Sequence, residues 1–519
     1  MLAVIAIGAI ARFVLAATVG LGVDESYAVA VSRQFSLSYF DHPPILFWLG
    51  GAAARIAGSE MGEVVRFPFV LCFAGTTWFM YRIGRRLFGE RAGMLGVVVL
   101  NVSAVFSLST GGWVLPDGPL MFFMSAATDR ISAILFGDCN ADGWTADAPR
   151  AAGSSGASAD ASADASAFGP WCFAGLLVGC AMLSKYHGVF IIAGTFAFLV
   201  TSSGHRRWLA TPGPYAGLLI AVACFAPVVV WNARHDWVSF AFQGGRAGSA
   251  GGIHLDTLAA NIGGQMAWVL PWIFVPLAAA AWRALRSGPG DARRWFLLSL
   301  AAGPIGVFTL ASLGGAIGLP HWQAPGWLFV FPMLGAAAAE RLDRGDRRAM
   351  RWLRASVWGY VALIAVLTSH ASTGWMARVA PRAFEQGDPT GDLVTWSGLK
   401  AALADAGFDG ATEFVAATSW IQAGKAAIGA GPRVPVACLC ADPHHFRYTL
   451  DDRDLLGRDA LIVHKVRAGD DVVTRLAPYF ERIERVSSFH VARGAQEVMT
   501  VELFRATNFR QVFPTKQSR

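Results

Sequence analysis

Charged residues are scarce in this sequence: Asp, Glu, Lys and Arg make up only 15% of its 519 residues, whereas hydrophobic residues make up 54%. One water-soluble core does not need so much apolar sequence, and this composition is typical of a polytopic membrane protein. The net charge of +7 would suit nucleic acid, but the arginines cluster in short loops between apolar segments, where membrane topology explains them better. We therefore expect membrane lipid as the main solvent and no nucleic-acid partner.

Cysteine is also scarce, and its spacing excludes the common cysteine frameworks. The 7 cysteines are scattered, mostly in or near apolar segments, and show neither a disulfide framework nor zinc-ribbon spacing. Cys438 and Cys440 lie too close together in a predicted strand for an easy bridge. No separate secretory signal precedes the first apolar segment, so we expect Met1 to Val23 to be retained as a membrane anchor.

Apolar runs long enough to cross a bilayer recur along the first 380 residues and predict about eleven transmembrane helices. They begin near residues 1, 64, 91, 118, 170, 187, 213, 264, 294, 324 and 353. Arginine clusters follow even-numbered spans, which places those loops in the cytoplasm and the loops with polar motifs on the opposite face. Arg12, inside the first span, needs a buried partner or a snorkelled position.

Two segments depart from this membrane pattern. Residues 138–168 contain the run SSGASADASADASA, which has no hydrophobic periodicity and predicts a disordered cytoplasmic insert. From Pro381 to Arg519 the charge rises and short β-rich runs alternate with helical ones. We expect residues 1–380 to form the transmembrane domain and residues 381–519 to form a soluble α/β domain on the outer face, beside the first acidic loop.

Carboxylates lie at two outer membrane boundaries. Asp24 and Glu25 directly follow the first apolar segment, and the pair is either a general base with a metal ligand or a solvated cap on a short amphipathic helix. Asp117, in VLPDGP, is either a turn residue before glycine or a second functional carboxylate. Two such carboxylates on one face could bind a divalent cation or accept a proton.

Basic side chains accompany these carboxylates on the outer face. Lys185, in MLSKYHG, is either a snorkelling anchor or a cation that binds an anionic lipid headgroup. A single interfacial histidine is usually structural, and a zinc site would require several of them to converge in space. The histidines that share this face are His42, His187, His235 and His321.

Taken together, these segments resemble a known family. DESYAVAVSRQFSLSYFDHPP is followed in order by VRFPFVL, GRRLFGERAGMLG, LPDGPL, LSKYHGVF, WNARHDWVSF and PHWQAPGWLFVFP. This order is similar to that of the bacterial dolichyl-phosphate-mannose-protein mannosyltransferase-like glycosyltransferases, which include the aminoarabinose lipid A transferases and have the GT-C fold. The similarity runs from about residue 1 to 340, and DPTGDLVTW and RDALIV resemble a domain appended in a subgroup.

The resemblance implies a membrane enzyme that transfers a sugar from a polyprenyl-phosphate donor to a periplasmic acceptor, usually with inversion. The acceptor would be lipid A or lipopolysaccharide, another glycan or a protein, and the membrane would be the bacterial inner membrane. By the same resemblance Asp24, its neighbour Glu25 and Asp117 are catalytic residues, with Asp117 positioning a metal or the acceptor. Lys185 then lies near the donor phosphate.

Further site residues follow from their place in these motifs. We expect Tyr27, Arg33, His42 and His321 to bind substrate. If Asp24 and Asp117 bind metal, we expect a divalent cation (Mg, Mn or Zn) as cofactor. A hydroxyl acceptor needs a carboxylate base, whereas a phosphate acceptor would leave Asp24 an orienting or electrostatic role.

Two other functions are compatible with many membrane spans. A transporter or flippase of lipid-linked sugar would also carry intramembrane polar residues, and an envelope assembly factor would use the outer domain to bind partners. The candidate residues gather at one outer face instead of the bilayer midplane, and this favours the enzyme.

Overall fold

The computed structural model describes residues 1–137, 157–247, 251–385, 387–466, 469–494 and 496–514. The chain divides into two compact units that interleave along the sequence. The first unit contains Met1–Arg12, His42–Ile45 and Phe69–Ala362, and the second contains Phe13–Asp41, Leu46–Pro68 and Leu363–Arg519. The predicted domain boundary after residue 380 lies inside the second unit, which also includes the first acidic loop.

The described residues in the first three quarters of the chain are mostly helical. The helices are α1 (Leu2–Thr18), α2 (Val23–Ser32), α3 (Ile45–Ala57), α4 (Gly62–Phe88), α5 (Glu90–Asn101), α6 (Thr110–Gly112), α7 (Asp117–Phe136), α8 (Ala157–Ser184), α9 (Val189–Thr201), α10 (Gly213–Cys224), α11 (Ala226–Ala233), α12 (Val238–Ala247), α13 (Leu255–Val269), α14 (Pro271–Ser287), α15 (Ala292–Leu313), α16 (Ala324–Leu328), α17 (Phe331–Asp343), α18 (Arg347–Thr373) and α19 (Trp375–Val379).

Several of these helices are candidates for membrane spans. Within the described residues, 5 helices are long and apolar enough to cross a membrane, namely α4, α7, the Ser166–Ser184 part of α8, α15 and α18. Four bent pairs meet the same criterion when each pair is taken as one span, which brings the described residues to up to 9 spans. The polytopic helical architecture is confirmed, and the number eleven stays a prediction.

Small residues let the helices of the first unit approach one another closely. A Cβ atom on Gly175 in α8 would lie 2.1 Å from the carbonyl oxygen of Gly217 in α10, and one on Gly335 in α17 would lie 2.2 Å from the carbonyl oxygen of Ala92 in α5. In lipid the hydrophobic effect does not drive helices together, because the lipid tails are themselves apolar. Close van der Waals contact at such positions therefore stabilises the association of the helices.

Arg12 has the buried partners that its position requires. Its Nε donates to the carbonyl of Ser107 at 3.1 Å, its Nη2 donates to the side chain of Asn101 at 3.0 Å, and its guanidinium lies 4.3 Å from the ring centroid of Phe73. Of the two predicted alternatives, a buried partner or a snorkelled position, the structure shows the buried partner.

The predicted insert is described only in part. Residues 138–156 lie outside the described residues, and α8 begins at Ala157, N-terminal to the predicted end of the insert at residue 168. The helical start is consistent with the alanine-rich sequence there, because alanine has the highest helix propensity.

The second unit contains an α/β sheet, as predicted. Its sheet has the order β2-β1-β3-β5-β4, in which β1, β2 and β3 are parallel and β5 is antiparallel to both β3 and β4. Strand β4 is an edge strand of this sheet, and its exposed residues are mostly polar. The elements are α20 (Leu399–Asp405), β1 (Glu413–Ala417), α21 (Trp420–Ala430), β2 (Val436–Cys438), β3 (Asp459–Lys465), α22 (Val472–Leu476), β4 (Arg482–Arg493) and β5 (Gln496–Thr507).

Helix α21 of this sheet packs directly on α2, the helix that begins with the acidic pair. A Cβ atom on Gly424 would lie 2.8 Å from the backbone nitrogen of Tyr27, so the two helices meet at a glycine. Beside that contact, the Nζ of Lys425 donates to the carbonyl of Leu21 at 2.5 Å and to that of Val394 at 3.3 Å. The carboxyl-terminal segment therefore supports the first acidic loop from within the same unit.

A buried ion pair in the first unit provides a test of membrane-domain packing. Asp129 accepts from Arg86 at 2.6 Å and pairs with Arg82 at 3.2 Å. Asp129→Ala should lower the free energy of unfolding by about 3 kcal/mol, because it leaves Arg86 buried without its counter-charge. Equilibrium unfolding in mixed micelles measures the loss. The matched control is Asp343→Ala, whose partner Arg91 is exposed; an equal loss in both variants would contradict the prediction.

The pH dependence of stability should reveal the buried lysine under α2. Burial lowers the pKa of Lys425 to about 8, and the opposing fields of Asp392 and Glu25 offset this only in part. Between about pH 8 and pH 10.4 the unfolded chain keeps the lysine proton that the folded chain releases, so the free energy of unfolding should rise with pH.

The comparison is with Lys425→Met, which has no proton to release at this position. Chemical unfolding of both proteins between pH 7 and pH 10.4 should show wild type gaining up to about 3 kcal/mol relative to the variant. If the free energy of unfolding changed with pH in the same way in both proteins, the lowered pKa of Lys425 would be refuted.

Candidate active site

A buried ion pair joins two of the predicted site residues in the first unit. The Nζ of Lys185 donates to both carboxylate oxygens of Asp117, at 2.9 and 3.1 Å. Both residues are buried, with exposed fractions of 5% and 3%. Lys185 therefore does not snorkel; it is held at the end of one helix by a carboxylate at the start of another.

The local sequence explains how Lys185 reaches this position. Helix α8 ends at Ser184, Lys185 is extended (φ −159°), and a single 3-10 turn, Tyr186–Gly188, leads into α9. The turn folds back tightly, because a Cβ atom on Gly188 would lie 2.4 Å from the backbone nitrogen of Met182. The break between two apolar helices thus turns the lysine inward.

Three of the outer-face histidines converge on this pair. His187 and His321 interact electrostatically with Asp117, and His42 interacts with His187. The ring of His187 stacks on Phe308 at a centroid distance of 4.7 Å, and among the described residues its Nε2 has no hydrogen-bond partner although it is buried. A buried ring nitrogen beside a lysine is suited to an anionic ligand.

The fourth histidine has a different environment. His235 stacks on Trp231 with ring centroids 4.1 Å apart, and its Nδ1 lies 2.7 Å from the carbonyl oxygen of the same tryptophan. This local contact suits the structural role that is usual for an interfacial histidine.

The acidic pair of α2 divides into an exposed and a buried carboxylate. Asp24 is exposed, whereas Glu25 is 2% exposed and receives two hydrogen bonds from Arg66, from Nε at 2.7 Å and from Nη2 at 2.5 Å. Glu25 also accepts from the backbone nitrogen of Gly22 at 2.8 Å, so it caps the start of its own helix. Its neighbour Asp24 is thereby held at a fixed position in the first turn.

Tyr27 and Arg33, which we predicted to bind substrate, both have protein partners. The Tyr27 hydroxyl donates to Asp41 at 2.9 Å and accepts from the backbone nitrogen of His445 at 3.0 Å. Arg33 donates to both oxygens of Glu60, at 2.8 and 2.7 Å, and to the carbonyl of Ala427 at 2.8 Å. These contacts anchor both side chains to the protein, and their substrate-binding roles stay predictions.

Sequence reasoning assigned no role to Arg66, Lys425 and His445, which also hold α2 in place. Arg66 could have been singled out, because an arginine inside the apolar run VVRFPFVL needs a buried partner. Lys425 and His445 gave no such signal, since both lie about 400 residues from their partners and their contacts exist only after folding.

The side chains do not fit the expected divalent cation. Among the described residues no three His, Cys, Asp or Glu side chains form a group that could hold a metal ion. Lys185 also binds both oxygens of Asp117, which a metal would need. The predicted metal ligation is therefore not supported at Asp117, and for Asp24 it stays a prediction.

Part of the sequence matches a known protein family. The family model for dolichyl-phosphate-mannose-protein mannosyltransferase matches residues 41–134 and 161–231, which include Asp117 and Lys185. No curated protein matches the chain.

Solved structures match over nearly the whole chain. ArnT from Cupriavidus metallidurans, bound to undecaprenyl phosphate or in the apo state, has a TM-score of 0.63 and 15% identity, and each match covers 97% of this chain and 97% of that one. An oligosaccharyltransferase of Archaeoglobus fulgidus, crystallised with Zn and sulfate, has a TM-score of 0.49 and 12% identity over 96% of this chain and 72% of its own. That second likeness is too weak to carry a functional argument.

The match to ArnT establishes the fold, and the family model covers the segments with the buried pair. This chain thus has a membrane fold of the GT-C class and resembles the dolichyl-phosphate-mannose-protein mannosyltransferase family, as its ordered motifs predicted.

Proposed function

We propose that this protein is an integral membrane glycosyltransferase that transfers a sugar from a polyprenyl-phosphate donor to an acceptor outside the cytoplasm. The observation that carries the proposal is the buried Lys185–Asp117 pair with three histidines around it. The fold shared with ArnT, which was crystallised with undecaprenyl phosphate, supports a polyprenyl phosphate as the lipid carrier.

The leaving group explains why cations are needed at this position. When the bond between the anomeric carbon and the phosphate oxygen breaks, negative charge develops on the departing lipid phosphate. Lys185 stabilises that charge, and Asp117 keeps the lysine ammonium oriented without contributing a step of its own. His187, His321 and His42 add hydrogen-bond donors around the phosphate.

The acceptor side of the reaction is assigned to Asp24. Its exposed carboxylate accepts the proton of an acceptor hydroxyl while the hydroxyl oxygen attacks the anomeric carbon and the lipid phosphate leaves. One direct displacement inverts the anomeric centre. If the acceptor is itself a phosphate, as in lipid A, no base is required and Asp24 orients the acceptor instead.

The remaining predicted site residues are assigned positioning roles. Glu25 and Arg66 hold the start of α2, and Tyr27 and Arg33 tie the helix to the carboxyl-terminal segment. Residues 1–380 would then carry the chemistry in a bacterial inner membrane, with residues 381–519 on the periplasmic side.

Neutralising the proposed base should abolish transfer. Asp24→Asn removes the proton acceptor without changing side-chain size, and we expect the rate with a hydroxyl acceptor to fall by about 100-fold or more. The measurement is turnover of labelled polyprenyl-phosphate sugar by purified protein. Asp236→Asn, another exposed carboxylate in an outer loop, is the matched control and should retain activity. Normal turnover by folded Asp24→Asn protein would remove the catalytic assignment.

Removing the proposed phosphate ligand should weaken donor use. Lys185→Ala should raise the apparent donor KM, because the lysine contacts the donor phosphate in the ground state as well as in the transition state. This variant also leaves Asp117 buried and uncompensated, so the double variant Asp117→Asn/Lys185→Ala serves as the stability control. An unchanged donor KM in both proteins would favour a purely structural ion pair.

The acceptor can be identified in cells. Mass spectrometry of lipid A, core lipopolysaccharide and periplasmic glycoproteins from a deletion strain should show the loss of one sugar, restored by wild type and not by Asp24→Asn. Restoration by both would favour a transporter or an assembly factor.

A further inference from the structure

A pair of cysteines lies beside the segment that contacts the first acidic loop. Cys438 ends strand β2 and Cys440 follows two residues later, and their Sγ atoms lie 2.6 Å apart. The proposed transfer reaction uses neither thiol. Both residues belong to the second unit and lie outside the candidate membrane spans.

The backbone explains why a pair that seemed too close in sequence can meet. In an extended strand, residues i and i+2 are about 6.6 Å apart along the strand, near the upper limit for a disulfide. Here the strand ends at Cys438, and the backbone nitrogen of Cys440 donates to the carbonyl of Cys438 at 3.1 Å. This three-residue turn folds the second cysteine back onto the first.

The two thiols have unequal environments. Cys438 is 7% exposed, whereas Cys440 is half-buried and can be reached from solvent. A hydrogen bond from the Cys438 thiol, together with backbone N–H groups of Asp442 and Trp420, lowers the pKa of Cys440, and burial raises the pKa of Cys438. A more accessible thiol of lowered pKa beside a buried thiol is the arrangement of an attacking and a resolving cysteine.

The pair also lies next to the contacts that hold α2. Four residues after Cys440, His444 stacks on Trp420 with centroids 4.6 Å apart, and the next residue, His445, donates to the Tyr27 hydroxyl. The two cysteines therefore lie at the start of the segment that supports the acidic loop.

We propose that Cys438 and Cys440 form a redox-active dithiol that exchanges with the disulfide of a thiol–disulfide oxidoreductase. The Cys440 thiolate attacks the partner disulfide, forms a mixed disulfide and releases one partner thiolate. The Cys438 thiol then loses its proton and attacks the Cys440 sulfur, which releases the second partner thiolate. The cysteine pair is oxidised by two electrons to an intramolecular disulfide, and the partner disulfide is reduced to two thiols.

The full-length protein in detergent tests this with oxidised glutathione as the partner disulfide. After incubation, remaining thiols are blocked with N-ethylmaleimide and the peptide that contains both cysteines is analysed by mass spectrometry. We expect this peptide to lose both maleimide additions and to weigh about 2 Da less than the dithiol form, since two hydrogens are removed. Cys72, in α4, is the internal control and should be alkylated in full when the blocking step is done on denatured protein.

Two matched single variants test the order of attack. Cys438→Ser should accumulate a glutathione adduct on Cys440, because the resolving thiol is absent. Cys440→Ser should form the corresponding adduct on Cys438 at least about tenfold more slowly, because that thiol is buried. This readout is independent of sugar transfer, so it stands or fails separately from the proposed function.

Two results would overturn the proposal. The first is full alkylation of both cysteines in wild type at every ratio of oxidised to reduced glutathione. The second is a stable glutathione adduct on wild-type Cys440 with no internal disulfide, which would show that the buried thiol cannot resolve it.

Discussion

The contact on which the first acidic loop depends is the one between Arg66 and Glu25. Arg66 is fully buried, and besides the two bonds to Glu25 it donates to the carbonyls of Ala16, Val19 and Gly20. The guanidinium thus satisfies carbonyls at the end of α1 that have no intrahelical partner, and it neutralises the glutamate at the start of α2. At the sharp turn between the two helices Asp24 is exposed, whereas its neighbour Glu25 is buried in these contacts.

A second buried pair organises the first unit in a different way. Asp117 and Lys185 neutralise each other in surroundings of low polarity, where an isolated charge would be costly. The pair as a whole carries no net charge, so the histidines near it decide how strongly an anion is attracted. In the proposed reaction, partial compensation of the lysine charge by the carboxylate would allow the donor phosphate to be released after transfer.

The carboxyl-terminal sheet acts on α2 through backbone and side-chain contacts from α21 and the segment after β2. Arg33, Lys425 and His445 all bond across this junction, and Gly424 allows the helices to touch. Burying Lys425 disfavours its charged form, and its hydrogen bonds to the carbonyls of Leu21 and Val394 offset part of this cost. The segment is therefore a support for the acidic loop, and its cysteine pair lies where a covalent change would reach that support.

The sequence by itself determined the membrane class, the order of the motifs and the α/β character of the last 139 residues, because hydrophobic periodicity and composition are local properties. It also identified Asp24, Asp117 and Lys185 as chemically interesting, since charges beside apolar runs are costly. Only the tertiary structure decided that Asp117 pairs with Lys185, that Glu25 forms an ion pair with Arg66 and that α21 packs on α2. Those pairings join residues 41 to more than 400 positions apart, and no local pattern specifies which distant partner will neutralise a buried charge.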